Sequence, residues 1–285
     1  MSAMQSAQKP SRFAVIGSPI AHSKSPQIHE QFAQQTKRTL TYEAIEVLPA
    51  DLATFIQAFF ESGGAGLNVT LPHKEAVFAL AEVSSSRAQL ARAANTLSLD
   101  SEGRLRADNT DGAGLLGDLE QNHGVTLKGK RLLMLGAGGA TRGVLAAVAG
   151  LPETERPSNV TVANRTVTKA KALAEDFKGA LGIAACGYEA AADSSFDIII
   201  NGTSASLGGE LPPLSPALIA PDCCCYDMMY GSETTAFQGW AREHGARLAI
   251  DGLGMLVGQA AESFFQWHGV RPSTASLIDQ LRSKW

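Results

Sequence analysis

The apolar residues of this chain fall into two rhythms. Unbroken apolar runs such as Phe13-Ala14-Val15-Ile16 and Leu132-Leu133-Met134-Leu135 mark strands buried on both faces. Stretches with apolar residues three and four apart, such as Leu52, Phe55, Ile56 and Phe59, mark amphipathic helices. The runs predict strands over residues 13–16, 42–47, 66–70, 93–99, 105–109, 131–135, 160–163, 197–201, 223–227 and 247–250. The helical spacing predicts helices over 52–60, 111–124, 141–149, 168–178, 235–243 and 255–268, with others after Pro26, Pro72 and Pro272. Ser25-Pro26 reads as an N-cap followed by proline at the first helical position. Gly63-Gly64 reads as a helix stop, and the segment from Asp100 to Gly103 as a polar turn.

Strand–helix alternation of this kind predicts an α/β protein built on open, mostly parallel sheets with helices on both faces. In such sheets ligands bind beyond the carboxyl ends of the strands. At 285 residues the chain is long enough for two domains. Apolar residues make up 45% and charged residues 18%, an ordinary soluble composition. A net charge of −4 gives no bias towards nucleic acid or a membrane surface. No apolar run reaches the roughly 20 residues of a membrane helix. Met1 to Ser11 is polar, lacks a signal core and reads as a disordered extension, so the cytoplasm is the expected compartment. Cys186 and the run Cys223-Cys224-Cys225 have no metal-ligand or redox spacing and read as small buried hydrophobes. No metal is expected.

Gly136-Ala137-Gly138-Gly139-Ala140 directly follows a predicted strand and opens a helix, the context of a dinucleotide-binding loop. Gly136 permits the tight turn, Gly138 lets a pyrophosphate approach the backbone, and the helix N-terminus offers amide donors. The next strand ends in Asn164-Arg165-Thr166, with Lys169 three residues on. An NAD site usually carries an acid at that tip. Here a guanidinium, a hydroxyl and an ammonium match a 2′-phosphate instead, so NADP is the expected cofactor.

Two polar loops upstream carry candidate chemistry. Lys74 lies in Asn68-Val69-Thr70-Leu71-Pro72-His73-Lys74, at the start of a helix, where a cation opposes the helix dipole. Asp111 lies in Asn109-Thr110-Asp111-Gly112, between a strand and a helix. Its plain alternative is a helix N-cap. Together they are a proton-transfer group and its orienting partner. Ser23 and Ser25, two residues apart before a helix, suit a carboxylate, with capping as the competing role for Ser25. His22, His29 and His73 show no metal-ligand spacing.

These motifs resemble the shikimate dehydrogenase family from Phe13 to Gly269. The resemblance rests on Gly17-x-Pro19-Ile20-x-His22-Ser23-x-Ser25-Pro26, Asn68-Val69-Thr70-x-Pro72-x-Lys74, Ala94-Asn95-Thr96 and Asn109-Thr110-Asp111-Gly112. It continues through Gly136 to Ala140, Asn164-Arg165-Thr166, Asn201-x-Thr203-Ser204, Tyr226-Asp227-Met228-x-Tyr230 and Asp251-Gly252-x-Gly254-Met255 to Ala261. It implies NADPH-dependent reduction of 3-dehydroshikimate to shikimate in aromatic amino-acid biosynthesis. It further implies that Lys74 and Asp111 are catalytic, that Ser23, Ser25 and Tyr226 meet the substrate carboxylate, and that Asn68, Thr70, Asn95, Asp111 and Gln259 bind ring hydroxyls. Gly136, Ala137, Gly138, Gly139 and Ala140 would bind pyrophosphate. Asn164, Arg165, Thr166 and Lys169 would hold the adenosine phosphate end, and Thr203, Met228, Gly252 and Met255 would line the nicotinamide side. The implied substrate domain is 1–110 plus 252–285, and the implied Rossmann-type NADP domain is 111–251, with a cleft between them. Glu30 stands where the family often has Asn. The alternatives are a quinate/shikimate dehydrogenase using NAD or both cofactors, and a non-catalytic NADPH sensor. The partners expected are the small-molecule substrate and, as an open alternative, a second copy in a homodimer.

Overall fold

A computed structural model describes residues 10–203, 205 and 210–284. Residues 1–9 of the expected extension, and Ser204 of the resemblance, lie outside the described residues. Ser11, read as part of that extension, instead opens the first strand.

The first half comprises β1 (Ser11–Gly17), α1 (Ser25–Thr36), β2 (Leu40–Glu46), α2 (Leu52–Glu61), β3 (Gly64–Val69), α3 (Lys74–Leu80), β4 (Val83–Ser84), α4 (Ser86–Ala91), β5 (Thr96–Leu99) and β6 (Leu105–Asp108). Its six strands lie in the order β2-β1-β3-β5-β6-β4. The sheet is mostly parallel, but β5 runs antiparallel to both β3 and β6. The short connection explains this. Asp100 and Arg104 close a hairpin turn with Gly103 at φ 80°, and a turn that short cannot return a strand in parallel. The short β4 and α4 were not expected.

After α5 (Asp111–Gly117) the helix expected to continue to Gly124 passes into a π-helical turn, Asp118–Asn122. The second sheet then forms from β7 (Arg131–Leu135), α6 (Gly139–Ala149), β8 (Asn159–Ala163), α7 (Val167–Phe177), β9 (Ala184–Cys186), α8 (Tyr188–Ala191), β10 (Phe196–Asn201), β11 (Ile219–Asp227), α9 (Ala236–Glu243) and β12 (Leu248–Ile250). It is wholly parallel, in the doubly wound order β12-β11-β10-β7-β8-β9. Alternate residues of β7 divide between its two faces. Leu132 and Met134 join Val144, Leu145 and Phe177, whereas Leu133 and Leu135 join Ile199, Phe237 and Trp240. The cysteine run obeys the same alternation. Cys224 packs in the first of these cores, and Cys223 and Cys225 pack in the second as free thiols.

The chain finally returns to the first sheet. Val257, Ala261 and Phe264 of α10 (Leu253–His268) and Leu277 of α11 (Ala275–Arg282) pack on Ile28 and Phe32 of α1. Where α10 crosses α5, both helices are stripped to glycine. A Cβ on Gly114 would lie 2.3 Å from the Gln259 amide nitrogen, and one on Gly258 would lie 2.6 Å from the Gly114 carbonyl oxygen. This close crossing brings a late helix against the start of α5, and so brings position 259 near position 111.

Candidate active site

The loops after β1, β3 and β6, the loop after β11 and the first two turns of α10 enclose a cavity of about 330 Å³. Ser23, Ser25, Asn68, Thr70, Lys74, Asn95, Asp111 and Gln259 all line it, together with Met228, Gly252 and Met255 from the cofactor set. Local chemistry explains how each side chain arrives there. Lys74 is the first residue of α3, after the N-cap residue His73. His73 is buried, with Nε2 2.7 Å from the Val47 carbonyl oxygen, and serves as a packing post for the loop. Asp111 opens α5, but Thr110 is the N-cap and the Asp111 carboxylate makes no capping bond. It faces the cavity instead. Its Oδ2 accepts from Lys74 Nζ at 2.6 Å and its Oδ1 from Asn95 Nδ2 at 2.8 Å. Both partners are only partly exposed, Lys74 at 25% and Asp111 at 14% of the side chain.

Asn95 ties this pair to the rest of the cavity. Its Oδ1 accepts from the Thr110 backbone N–H at 2.8 Å, and its Nδ2 also reaches Gln259 Oε1 at 3.3 Å. Asn68 belongs to the same web. Its Oδ1 accepts from the Tyr42 hydroxyl at 2.7 Å, and its Nδ2 donates to Ser263 Oγ at 2.9 Å and to the Asn95 carbonyl at 3.0 Å. Such a satisfied web of buried amides and hydroxyls holds its members in single orientations. Behind it, Arg87 of α4 makes a forked pair with Asp108 at the end of β6 and bonds Glu262 of α10. Burial opposes ionisation of Asp108, but the hydrogen bonds and charge of Arg87 outweigh it and hold its carboxyl below the usual range. The strand that delivers Asp111 is thereby anchored.

At the other end of the cavity, Ser25 is the first residue of α1. Its N-cap is Lys24, so the expected cap position shifts by one. The Ser25 backbone N–H, the first of the helix, donates to Ser23 Oγ at 3.3 Å, and Lys24 makes no side-chain capping bond. Both serines line the cavity. Glu30 is exposed on the same helix and does not line it.

Tyr226 corrects the sequence reading. Its ring is fully buried at the end of β11, its hydroxyl donates to Asp118 Oδ2 at 2.8 Å, and the same oxygen accepts from the Met255 backbone N–H at 3.0 Å. With both capacities engaged in the core, it does not reach the cavity. Tyr230, four residues on, lines the cavity and is 38% exposed. Successive strand residues face opposite ways, whereas Tyr230 lies past the strand end on a loop. The signal was present in the closing tyrosine of the Tyr226-Asp227-Met228-Met229-Tyr230 stretch. His22, Ile20 and Leu256 also line the cavity without having been singled out for it.

A second cavity, of about 460 Å³, lies over the carboxyl ends of β7, β8 and β10 and is lined by Gly136, Ala137, Gly138, Asn164, Arg165 and Thr203. Gly136 has φ 94°, a conformation that favours glycine, and a Cβ there would lie 3.0 Å from the Thr203 methyl. A Cβ on Gly138 would meet nothing within 4 Å, so the space over this N-cap of α6 is open. An open glycine surface at the start of an 11-residue helix fits a pyrophosphate. Gly139 and Ala140 form the first turn of α6 beside it. At the tip of β8, Arg165, Thr166 and Lys169 are exposed, Thr166 stands at the N-cap position of α7 without a side-chain capping bond, and Asn164 Nδ2 bonds the Thr166 carbonyl, closing the turn. Thr203 is aimed by Asn201, whose Oδ1 accepts from both its N–H and its hydroxyl. No group of three or more His, Cys, Asp or Glu among the described residues is placed to hold a metal ion.

Comparison with known proteins finds matches along most of the chain. A family model described as the shikimate dehydrogenase substrate binding domain matches residues 15–97. The shikimate/quinate 5-dehydrogenase model matches 118–207, and the shikimate 5′-dehydrogenase C-terminal domain matches 252–282. The chain is 53% identical to a shikimate dehydrogenase (NADP(+)) of Marinobacter nauticus, over 95% of this chain and 98% of that protein. It belongs to the shikimate dehydrogenase family. Among solved structures, it is similar to an Ael1 enzyme from Pseudomonas putida, with TM-score 0.88, 47% identity and coverage of 95% of this chain and 98% of that one. It is also similar to the shikimate 5-dehydrogenase of Thermus thermophilus in complex with NADP(H) and shikimate, with TM-score 0.81, 34% identity and coverage of 96% and 100%. The fold is accordingly the family's two-domain α/β architecture with a Rossmann-type second sheet. No helix among the described residues is long and apolar enough to cross a membrane.

Proposed function

We propose that this protein is an NADP-dependent shikimate dehydrogenase, catalysing the reversible reduction of 3-dehydroshikimate to shikimate. The observation that carries the reading is the Lys74–Asp111 pair, at 2.6 Å, inside a cavity that also presents paired serines and the Met228, Gly252 and Met255 surface. In this reading residues 1–110 and 252–285 form the substrate domain and 111–251 the NADP domain. Ser23 and Ser25, joined by Tyr230, hold the substrate carboxylate. Asn68, Thr70, Asn95 and Gln259 orient the ring hydroxyls. Gly136 to Ala140 receive the pyrophosphate, while Arg165, Thr166, Lys169 and Asn164 favour the 2′-phosphate. Thr203, Met228, Gly252 and Met255 face the nicotinamide. When bound, the reduced cofactor supplies the hydride.

The chain's own work is binding, orientation and proton transfer. Lys74 Nζ donates a proton to the carbonyl oxygen as negative charge develops there, and it takes the proton back in the reverse direction. Asp111 Oδ2 aims the ammonium and stabilises its charge, and Asn95 fixes the carboxylate plane through Oδ1. Partial burial of the pair strengthens both interactions relative to water. The test is absorbance at 340 nm with purified protein, shikimate and NADP. Appearance of NADPH, faster with shikimate than with quinate and with NADP than with NAD, is the expected result. No turnover, with NADPH still bound, would replace the reading by a non-catalytic sensor.

A further inference from the structure

Tyr226, excluded from the substrate cavity, occupies a junction of three elements. It is the penultimate residue of β11, the strand that leads into Met228. Its hydroxyl oxygen accepts from the N–H of Met255, the third residue of α10, at 3.0 Å. Its proton goes to Asp118 Oδ2 at 2.8 Å, on the π-helical turn that continues α5. Helix α10 has glycine at its N-cap and no capping side chain there. The first-turn donors are met from outside: Leu253 N–H by Asp251 Oδ1 at 3.2 Å, and Met255 N–H by Tyr226. Asp118 is 2% exposed, and Asn122 Nδ2 bonds its other oxygen at 2.7 Å. The fit around this junction is tight. A Cβ on Gly254 would lie 2.0 Å from Asp118 Oδ1, and one on Gly252 would lie 2.2 Å from the Met228 carbonyl oxygen.

We infer that Tyr226 is a positioning residue. Its hydroxyl pins the first turn of α10 to α5 and to β11, and thereby sets the nicotinamide-facing residues against the substrate-facing ones. The geometry that makes this specific is the distribution of roles along the two helices. Helix α5 starts with Asp111, and α10 carries Met255 in its first turn and Gln259 one turn later. Met228 and Gly252 flank the same junction. One hydroxyl therefore joins the element bearing the proton-transfer partner to the wall against which the reduced ring would lie. It touches neither substrate nor cofactor. Hydride transfer is steep in donor–acceptor distance, so loosening this joint acts on the chemical step more than on either binding step. The inference rests on the proposed reaction for its kinetic readout, and has a structural readout independent of it.

The test is Tyr226→Phe, which keeps the ring and removes the hydroxyl. The expected kcat is lower by about tenfold or more, with KM for shikimate and for NADP within about threefold of the parent. A larger deuterium isotope effect with shikimate labelled at the oxidised carbon is expected alongside it. Asp118→Asn keeps an oxygen acceptor for the tyrosine and should retain most of the rate, whereas Asp118→Ala should behave like Tyr226→Phe. If Tyr226→Phe does not fold, Tyr226→Phe/Asp118→Asn removes the buried charge left without its donor and takes its place. Amide exchange at Met255 should accelerate in the Phe variant, with or without turnover. Unchanged kcat and isotope effect in the Phe variant would overturn the inference, including the case where only the melting temperature falls. If the parent protein itself fails to oxidise shikimate, the proposed function falls, and Met255 exchange alone decides the clamp: an unchanged rate there overturns it.

Discussion

Lys74 and Asp111 should fail as a unit. Lys74→Ala removes the proton donor, and general acid catalysis of this kind is worth about 10² to 10⁴-fold, or about 2.7–5.5 kcal/mol of barrier. Asp111→Asn keeps the shape but turns a charge-assisted bond, worth about 1.5–3 kcal/mol, into a neutral one, worth about 0.5–1.5 kcal/mol, so kcat should fall by about tenfold. Because Asp111 Oδ2 acts through the ammonium 2.6 Å away, its contribution should vanish once the ammonium is gone. The double variant should therefore be within about threefold of Lys74→Ala. Loss of stability is told apart from loss of chemistry by Tm. Lys74 is 25% and Asp111 14% exposed, so either single variant leaves a largely covered charge without its partner and should also lower Tm. The assay is the initial rate at 340 nm with saturating shikimate and NADP, paired with NADPH titration by fluorescence, which should be unchanged. Rate losses that multiply in the double variant, or a Lys74→Ala loss below about tenfold, would refute the reasoning.

Arg165→Ala should raise KM for NADP by about tenfold while leaving NAD kinetics unchanged, as loss of a phosphate-binding guanidinium predicts; equal effects on both cofactors would remove Arg165 from the 2′-phosphate. Gly136→Ala places a side chain at φ 94° and 3.0 Å from the Thr203 methyl, so NADPH affinity should fall while binding of shikimate, followed calorimetrically, persists. Acid should destabilise the fold through His29, which is fully buried, stacked on Tyr42 at 4.1 Å and held neutral by burial and by His268, with its pKa lowered to about 3. The unfolded chain binds a proton at about pH 6.5 where the native state does not, so stability is present above that pH and falls as pH drops towards 3. Denaturant titrations at pH 6.5 and 5 should show His29→Phe losing roughly 1–2 kcal/mol less than the parent.

Much of this was legible in the residues because it is local. Strand and helix rhythm, the glycine loop and the lysine after Pro72 are readable within a few positions, since periodicity and φ preference are properties of short segments. The ambiguities sit where a local pattern has two solutions. Tyr226 and Tyr230 belong to one stretch, and only packing tells which ring turns inward to Asp118 and which faces the cavity. Asp111 had the residue type of an N-cap, yet Thr110 takes that place and Lys74 and Asn95 claim its oxygens. The helix expected through Gly124 gives way at Asp118, where a tertiary bond from Tyr226 engages the carboxylate.

The sequence by itself determined the class of fold, the glycine loop and the identities of the pair proposed for proton transfer. Tertiary structure decided their convergence. Lys74 meets Asp111 across 37 positions, and Asn95 meets Gln259 across 164. Neither meeting has a local signal. The first follows from β3 and β6 flanking β5 in one sheet, and the second from a helix at the end of the chain crossing α5 at Gly114 and Gly258, where two backbones touch because no side chain intervenes. Spacing along a chain can choose the groups; only close packing between distant segments fixes the ångström-scale distances on which proton and hydride transfer depend.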